Sequence, residues 1–317
     1  MTTNQQIANE LITRQLDVIR VETGLENDLQ RQIGQLERNI EVLIAGVDLT
    51  ALNKTQLKQL LKQIELAIDD FYSSCEEQIQ QTINDIGDNE ASYLPRLFIS
   101  VTDDNSGIKH LSDAQTTSLT AGILLGGLTL KETFTAQKAQ LFSAIKRQIR
   151  TGAVDGLIPD LAGVFKKANN WIKATVPTAA GAIRNQIIYA FGRMNSKVKG
   201  WRHYSIIDER TSAICFSRNH LIWDKDKQPI GHDQIFQLPP LHCRCRSSVL
   251  PLTDLQAEFD GMTGEKWINS RSLTQLQEQF GKGIGKMLKT GKVNVSDIVK
   301  NGGLQSMTLN ELREKYQ

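Results

Sequence analysis

Residues 57–75 read LKQLLKQIELAIDDFYSSC. Leu57, Leu61, Ile64, Ile68, Phe71 and Cys75 recur at steps of four and three, the signature of one apolar stripe on an α-helix. Leu29, Ile33, Leu36, Ile40 and Leu43 repeat the pattern just upstream, and Val47-Asp48-Leu49-Thr50 with Asn53 supplies a break and an N-cap between them. The two stripes predict a helical hairpin, with Gly87-Asp88-Asn89 closing its second helix. Cys75 lies on the stripe and reads as a small buried hydrophobe rather than a reactive thiol.

Working outward, the whole chain has 317 residues, 37 basic and 35 acidic, with a net charge of +2 and 40% hydrophobic residues. This length favours two or three subdomains, and the balanced charge excludes a whole-protein polyanion binder. Four cysteines do not make a disulfide scaffold. The opening MTTNQQIANE lacks the basic start and apolar run of a secretory signal, so cytoplasmic synthesis is expected. The longest apolar run, Leu119 to Leu130, is interrupted by Gly122, Gly126 and Gly127 and is too short for a membrane span, which requires about 20 residues.

The near-zero charge conceals a division. Residues 1–100 carry eight more acidic than basic side chains, while residues 131–202 carry ten more basic than acidic. Residues 1–90 therefore read as an acidic helical hairpin arm. Residues 91–118, with Pro95 and Asp103-Asp104-Asn105-Ser106-Gly107, read as an irregular linker, with an extended piece at Leu97–Val101. Residues 119–200 read as a basic helical domain. Phe134, Leu141, Ile145 and Ile149 mark one helix stopping near Gly152, and Leu157–Trp171 and Ile183–Met194 mark two more. Its cations include Lys166, Lys167, Lys173, Arg184, Arg193 and Lys197. These are either a solvated face or a phosphate-contacting one; no interleaved aromatics suggest base stacking.

From Trp201 the pattern turns to strand. Trp201–Ile207, Leu221-Ile222-Trp223 and Ser247–Leu250 have the required aromatic and β-branched content. Residues 201–254 thus form a small α+β module, and residues 255–317 a helical, glycine-punctuated tail ending in the capping box of Thr308 and Glu311. The fold class is mainly α: an N-terminal hairpin, central helices, a motif module and a helical tail.

Three of the four cysteines fall within residues 215–245, beside His242. Thiolate and imidazole are preferred zinc ligands, and the two-residue gap in His242-x-x-Cys245 lets both side chains converge on one ion. Cys215, His242 and Cys245 form the natural ligand set. The fourth ligand is open among Asp208, His220, Cys243 and water. The competing reading is an unmetallated turn packed with buried thiols, since no paired C-x-x-C is present. Asp208, with Thr211 and Ser212, suits a turn-capping role, and Arg210 or Arg246 could hold it in a bidentate pair. A metal-dependent nuclease or hydrolase using Asp208 and His242 is a distant alternative, because no H-x-E or H-E-x-x-H motif is present.

The combination Asp208-x-Arg210-Thr211-Ser212-x-x-Cys215 followed by Pro239-Pro240-Leu241-His242-x-x-Cys245-Arg246 resembles the Mu F-like minor head proteins of tailed phages, also called head morphogenesis proteins. The helices from Phe134 to Met194 and the segment Trp267–Gly291 are similar to the flanking regions of that family, so the likeness covers about residues 115–317. Two positions depart from it. Cys243 stands where the family commonly has Pro, and Asn219-His220 where it tends to have Gly. The resemblance implies a non-enzymatic virion protein in the head or at the portal vertex, with portal protein, the procapsid or capsid interior and packaged DNA as partners. Self-association is left open, as is a DNA-binding or DNA-ejection role for the basic helices. One structural zinc is the only cofactor expected.

Overall fold

The computed structural model describes residues 2–104, 106–256 and 259–316. Helix makes up 65% and strand 8%, so the chain is mainly helical with a small sheet region. No helix among the described residues is long and apolar enough to cross a membrane. The chain divides into two compact units, each assembled from segments far apart in sequence.

One unit comprises Asp17–Ile86 and Thr117–Ala180. It contains most of α1 (Thr3–Ala45), a 3-10 turn (Leu49–Ala51) and the first two thirds of α2 (Lys54–Thr102). Most of the hairpin stripes are realised: Leu29, Ile33, Leu36 and Ile40 are buried, as are Leu61, Ile64, Ile68, Phe71 and Cys75, whereas Leu43 and Leu57 are half-buried and Ile44 takes the core position beside Leu43. Burial pushes the Cys75 thiol up to about 12, which fixes it as an inert core group. The apolar, glycine-broken run folds as α3 (Asp113–Ala121) and a tight hairpin of β1 (Leu124–Leu125) and β2 (Leu128–Thr129). Gly126 and Gly127 form its turn, both with positive φ. α4 (Leu130–Asp155) opens on a capping box of Thr129 and Glu132 and ends at Gly156 in the left-handed conformation.

The hairpin is not a separate acidic arm. Tyr72 of α2 meets Phe134 of α4 and Trp171 of α5 (Ala162–Met194) at ring-centroid distances of 6.1 and 5.9 Å, and Lys138 pairs with Asp69 at 3.2 Å. Acidic and basic segments share one core, because their apolar stripes need each other whatever the charge on their outer faces. Two further boundaries differ from expectation. α2 continues through Gly87-Asp88-Asn89 and Pro95 to Thr102, so the expected linker of residues 91–118 is helical over residues 91–102 and again over 113–118, and Leu97–Val101 is helix rather than extended chain. Likewise α5 runs unbroken through Pro177 where two helices were expected. A proline inside a helix forfeits one backbone hydrogen bond. The buried stripe of Leu94, Leu97 and Phe98, and that of Val176, Ala179, Ala180 and Ile183, offset the loss.

The other unit comprises Met1–Leu16, Gly87–Thr116 and Gly181–Gln317. Its centre is a four-stranded antiparallel sheet in the order β5-β4-β3-β6. β3 (Gly200–Ser205), β4 (Ile222–Asp224) and β6 (Ser247–Leu252) are the three strands read from sequence, and β5 (Pro229–Ile230) is a short addition. Trp201 pairs with Trp223 across the register, and its ring lies over Gly192 of α5. A Cβ at Gly192 would sit 2.3 Å from that ring, so only glycine fits.

β6 is an edge strand, and helix side chains occupy its free backbone groups. Asn185 of α5 accepts from Val249 N–H at 2.8 Å and donates to the Ser247 carbonyl at 3.2 Å. Asn4 of α1 accepts from Thr253 N–H at 2.8 Å, and Arg184 donates to Ser248 Oγ and to the Leu11 carbonyl, both at 2.6 Å. Glu90 of α2 lies 3.0 Å from Arg14 Nε and 3.8 Å from Arg184 Nε, with Glu90 and Arg184 both fully buried.

α6 (Ala213–Arg218) turns its Phe216 into a second core built by the tail: α7 (Gly264–Ser270), α8 (Leu273–Phe280), α9 (Lys282–Lys289) and α10 (Leu309–Tyr316). A 3-10 turn (Val295–Ile298) and the strand pair β7 (Val299–Lys300) and β8 (Gln305–Ser306) complete it. The capping box of Thr308 and Glu311 is present. α8 and α9 cross closely at Gly285, where a Cβ would meet the Leu276 backbone at 2.6 Å.

Replacing Glu90 by alanine strips a buried guanidinium of its carboxylate, a change that typically costs about 3–5 kcal/mol. Urea denaturation of Glu90→Ala is expected to show a loss of that order, with the signal of the 181–317 region melting first. A midpoint unchanged from wild type contradicts this account.

Candidate metal centre

The site is built where a turn, a short helix and the start of β6 meet. Ser212 caps α6, its side chain accepting from Cys215 N–H at 3.2 Å, and this places Cys215 on the first turn with its thiol facing the sheet. The second half comes from a tight turn in which Cys245 N–H donates to the His242 carbonyl at 3.2 Å while Arg244 adopts positive φ. That turn brings His242 and Cys245 to one side, as their two-residue spacing predicts.

Cys215, His242 and Cys245 therefore converge, with their ligand atoms all within 4.8 Å of one another. Cys215 Sγ lies 3.1 Å from His242 Nε2 and 3.7 Å from Cys245 Sγ. These three residues could hold a metal ion. His242 Nδ1 lies 2.8 Å from its neighbour's carbonyl, Cys243 O. Donation there leaves Nε2 with its lone pair toward the thiols, the tautomer a metal requires. The Ser212 hydroxyl, 2.8 Å from Nε2, can donate to it.

The Cys215 S–H donates toward Cys245, which lowers the Cys245 thiol well below the ordinary range and raises that of Cys215; His242 lowers Cys245 further. His242 is in turn raised by its interaction with Cys245, against the opposing effect of burial. Both thiols are buried.

The remaining motif residues form the frame of the centre. Burial alone would raise Asp208, but the Arg246 side chain and the Arg210 N–H hold its carboxyl down at about 2. Arg246 makes the bidentate pair, at 2.7 and 2.5 Å, whereas the Arg210 side chain is 80% exposed and 3.3 Å away. Thr211 Oγ1 donates to the Ile206 carbonyl and accepts from Asp208 N–H, which closes the turn. Of the three side chains considered for a fourth ligand, none joins the cluster among the described residues. Asp208 is held by Arg246. His220 lies beside Tyr204 and Phe259, with ring centroids 6.2 and 4.8 Å away, and burial lowers it to about 4. Cys243 is exposed. The hollow beside the cluster, about 10 Å3, has room for one water-sized ligand.

Several residues around the site escaped the sequence reading. Ser247 Oγ donates to Cys215 Sγ at 3.1 Å and lies 2.8 Å from Ser205 Oγ. His203 is fully buried, its Nε2 without a hydrogen-bond partner, and burial lowers it to about 3, so it is neutral. The alternation Trp201, His203, Ser205 along β3 was the available signal, because it puts all three on one side of the sheet. Gln279 of α8 donates to the Asp208 carbonyl at 2.9 Å, a tie visible only in three dimensions.

The six cations considered for nucleic acid are divided between the two units. Lys166 and Lys167 are exposed and Lys173 is half-buried in the first unit described, whereas Arg184, Arg193 and Lys197 belong to the other. Arg184 is excluded outright by its burial against Ser248 and Glu90. Lys197 is paired with Asp104 at 2.6 Å, and Arg193 lies over the Tyr189 ring. No family model, curated protein or solved structure matches the chain.

Because Asp208 titrates at about 2 when folded and near its ordinary value of 3.8 when unfolded, its contribution is complete above pH 4 and disappears as pH falls toward 2. Asp208→Asn is expected to cost about 1–2 kcal/mol at neutral pH, allowing for partial exposure. The gap between wild type and variant should close between about pH 4 and pH 2 in chemical denaturation; a constant gap would contradict the assignment.

Proposed function

We propose that the chain is a non-enzymatic minor head protein of a tailed phage, acting in head assembly at the portal vertex, and that its Cys/His module carries one structural zinc. The observation that carries this reading is the way the motif residues spend their functional groups on one another. Asp208 is bound by Arg246, Thr211 closes its own turn, and Ser212 serves both as helix cap and as partner to His242. No carboxylate or second imidazole joins the ligand atoms of the cluster among the described residues, and the nearby His203 is buried and neutral. A hydrolytic centre needs a base aimed at its open coordination position, and the carboxylate of this frame, Asp208, is already held by Arg246. Its architecture suits a fastener between α6 and the start of β6.

Zinc suits the donor set. Tetrahedral bonds of roughly 2.0–2.3 Å put ligand atoms about 3.3–3.8 Å apart, close to the spacings of 3.1 and 3.7 Å found here. Cys215, His242 and Cys245 would hold the ion, and a water would complete it. Bound there, zinc supplies a cross-link that a short edge strand and a short helix otherwise lack. The head-assembly role is supported by the likeness of Asp208–Cys215 and Pro239–Arg246 to the Mu F-like motif.

Freshly purified protein is expected to contain about one zinc per chain by elemental analysis. Cys245→Ala should abolish it and destabilise the 181–317 region strongly, since structural zinc contributes apparent energies on the order of 10 kcal/mol. Protein without metal refutes that part. In the phage that encodes it, the chain should co-purify with portal or procapsids; normal heads assembled without it would overturn the assembly role.

A further inference from the structure

A basic track unrelated to the motif crosses the unit formed by Asp17–Ile86 and Thr117–Ala180. Lys54, Lys58 and Lys62 recur every four residues on α2 and so stand in one row, about 6 Å apart along the helix. They line a groove of about 430 Å3 whose opposite wall is Lys146 and Arg150 of α4. Those same two residues line the adjoining hollow together with Arg147, and Arg147 also lines a third hollow with Lys167 of α5. Three helices thus contribute to one continuous run of cations.

Hardly any of this charge is compensated. Among the described residues only Lys62 of these cations is in an ion pair, with Glu65 at 3.0 Å. Asp155 and Asp160 stand at the far hollows, and no acidic residue other than Glu65 lines the first groove. Six of the seven cations are exposed and Lys146 is half-buried. A positive patch on one protein can also meet an acidic patch on another, but such a patch is local. A run of single sign that passes from helix to helix matches a polymer charged at every repeat.

We propose that this track binds the phosphate backbone of duplex nucleic acid, without reading its sequence. The groove floor is Leu57, Leu61 and Phe142, which offers no hydrogen-bonding group to a base edge. Phe142 is the groove's single aromatic, and Lys146 Nζ lies 5.6 Å from its ring centroid, so there is no row of rings on which unpaired bases could stack. Recognition therefore rests on charge, which selects the double-stranded backbone with its higher charge density. The site does not depend on the Cys/His module or on a role at the portal.

The test is fluorescence anisotropy of the full chain with two labelled duplexes of unrelated sequence, over about 50–200 mM salt. Both should bind with similar affinity, weakening steeply as salt rises. Lys58→Gln, Lys146→Gln, Arg147→Gln and Arg150→Gln combined should lower affinity at least tenfold and flatten the log–log salt slope by about 3–4, at roughly 0.9 for each phosphate that is no longer neutralised. A control with the same charge change elsewhere, Lys282→Gln, Lys286→Gln, Lys292→Gln and Arg313→Gln, should bind as wild type. Circular dichroism establishes that both variants are folded, as expected for exposed positions. Absence of duplex binding at low salt, equal affinity in wild type and the track variant, or tighter binding of a polyglutamate peptide than of DNA overturns the proposal. The last outcome would reassign the track to an acidic protein.

Discussion

A buried guanidinium holds the larger unit together. Arg184 is fixed by Glu90, by the Leu11 carbonyl and by Ser248 Oγ, so one side chain on α5 engages α1, α2 and β6 at once. Burying that charge is tolerable because two guanidinium nitrogens are hydrogen-bonded and the Glu90 carboxylate stands 3.8 Å from the third; removing one of these partners leaves the charge desolvated and less compensated. Its neighbour Asn185 completes the backbone of the edge strand. The position of Cys245 follows from this, because Gln15 of α1 donates to the Arg246 carbonyl at 2.5 Å, directly after the ligand and before β6 begins. The Cys/His cluster is thus set by helices whose sequences show no sign of metal chemistry.

Much of this was legible from local pattern. The hairpin stripes, the strands at Trp201, Ile222 and Ser247, the Thr308 cap and the convergence of His242 with Cys245 all depend on short-range geometry, which spacing encodes directly. Gly87-Asp88-Asn89 and Pro95 were misleading because they state a local preference that distant burial overrides: Phe98 packs against Phe191 with ring centroids 5.0 Å apart, and that packing lies outside any window of sequence. The fourth ligand was unreadable for a related reason. Whether Asp208 faces an ion or an arginine depends on Arg246, and the sequence offered Arg210 equally.

Charge was the least transparent property. Arg184 counted among the cations of a basic region and proved to be a core residue. Lys54, Lys58 and Lys62 vanished into the sum of an acidic region, although their spacing places them on one face. Net charge averaged over a hundred residues records neither partners nor faces, whereas the position of each cation on its helix records both. The contrast between an acidic beginning and a basic middle is therefore a poor guide to surfaces: the helices concerned share a core, and the cations of α2 and α4 line one groove.

The hydrogen bond between Asn4 and Thr253 has a further meaning for the order of events during synthesis. The residues of the unit bearing the basic track all precede Gly181, so all of them have emerged while the remainder is still being made. The other unit cannot close until nearly 250 residues after its first helix has emerged, because that helix pairs with the end of β6. Ile7 and Leu11, fully buried in the finished chain, lie on that same helix. Pairings this distant are slow to form. Because Asn4 pairs with Thr253 and Gln15 with the Arg246 carbonyl, the first helix and the turn that bears Cys245 are fastened in the same late interval.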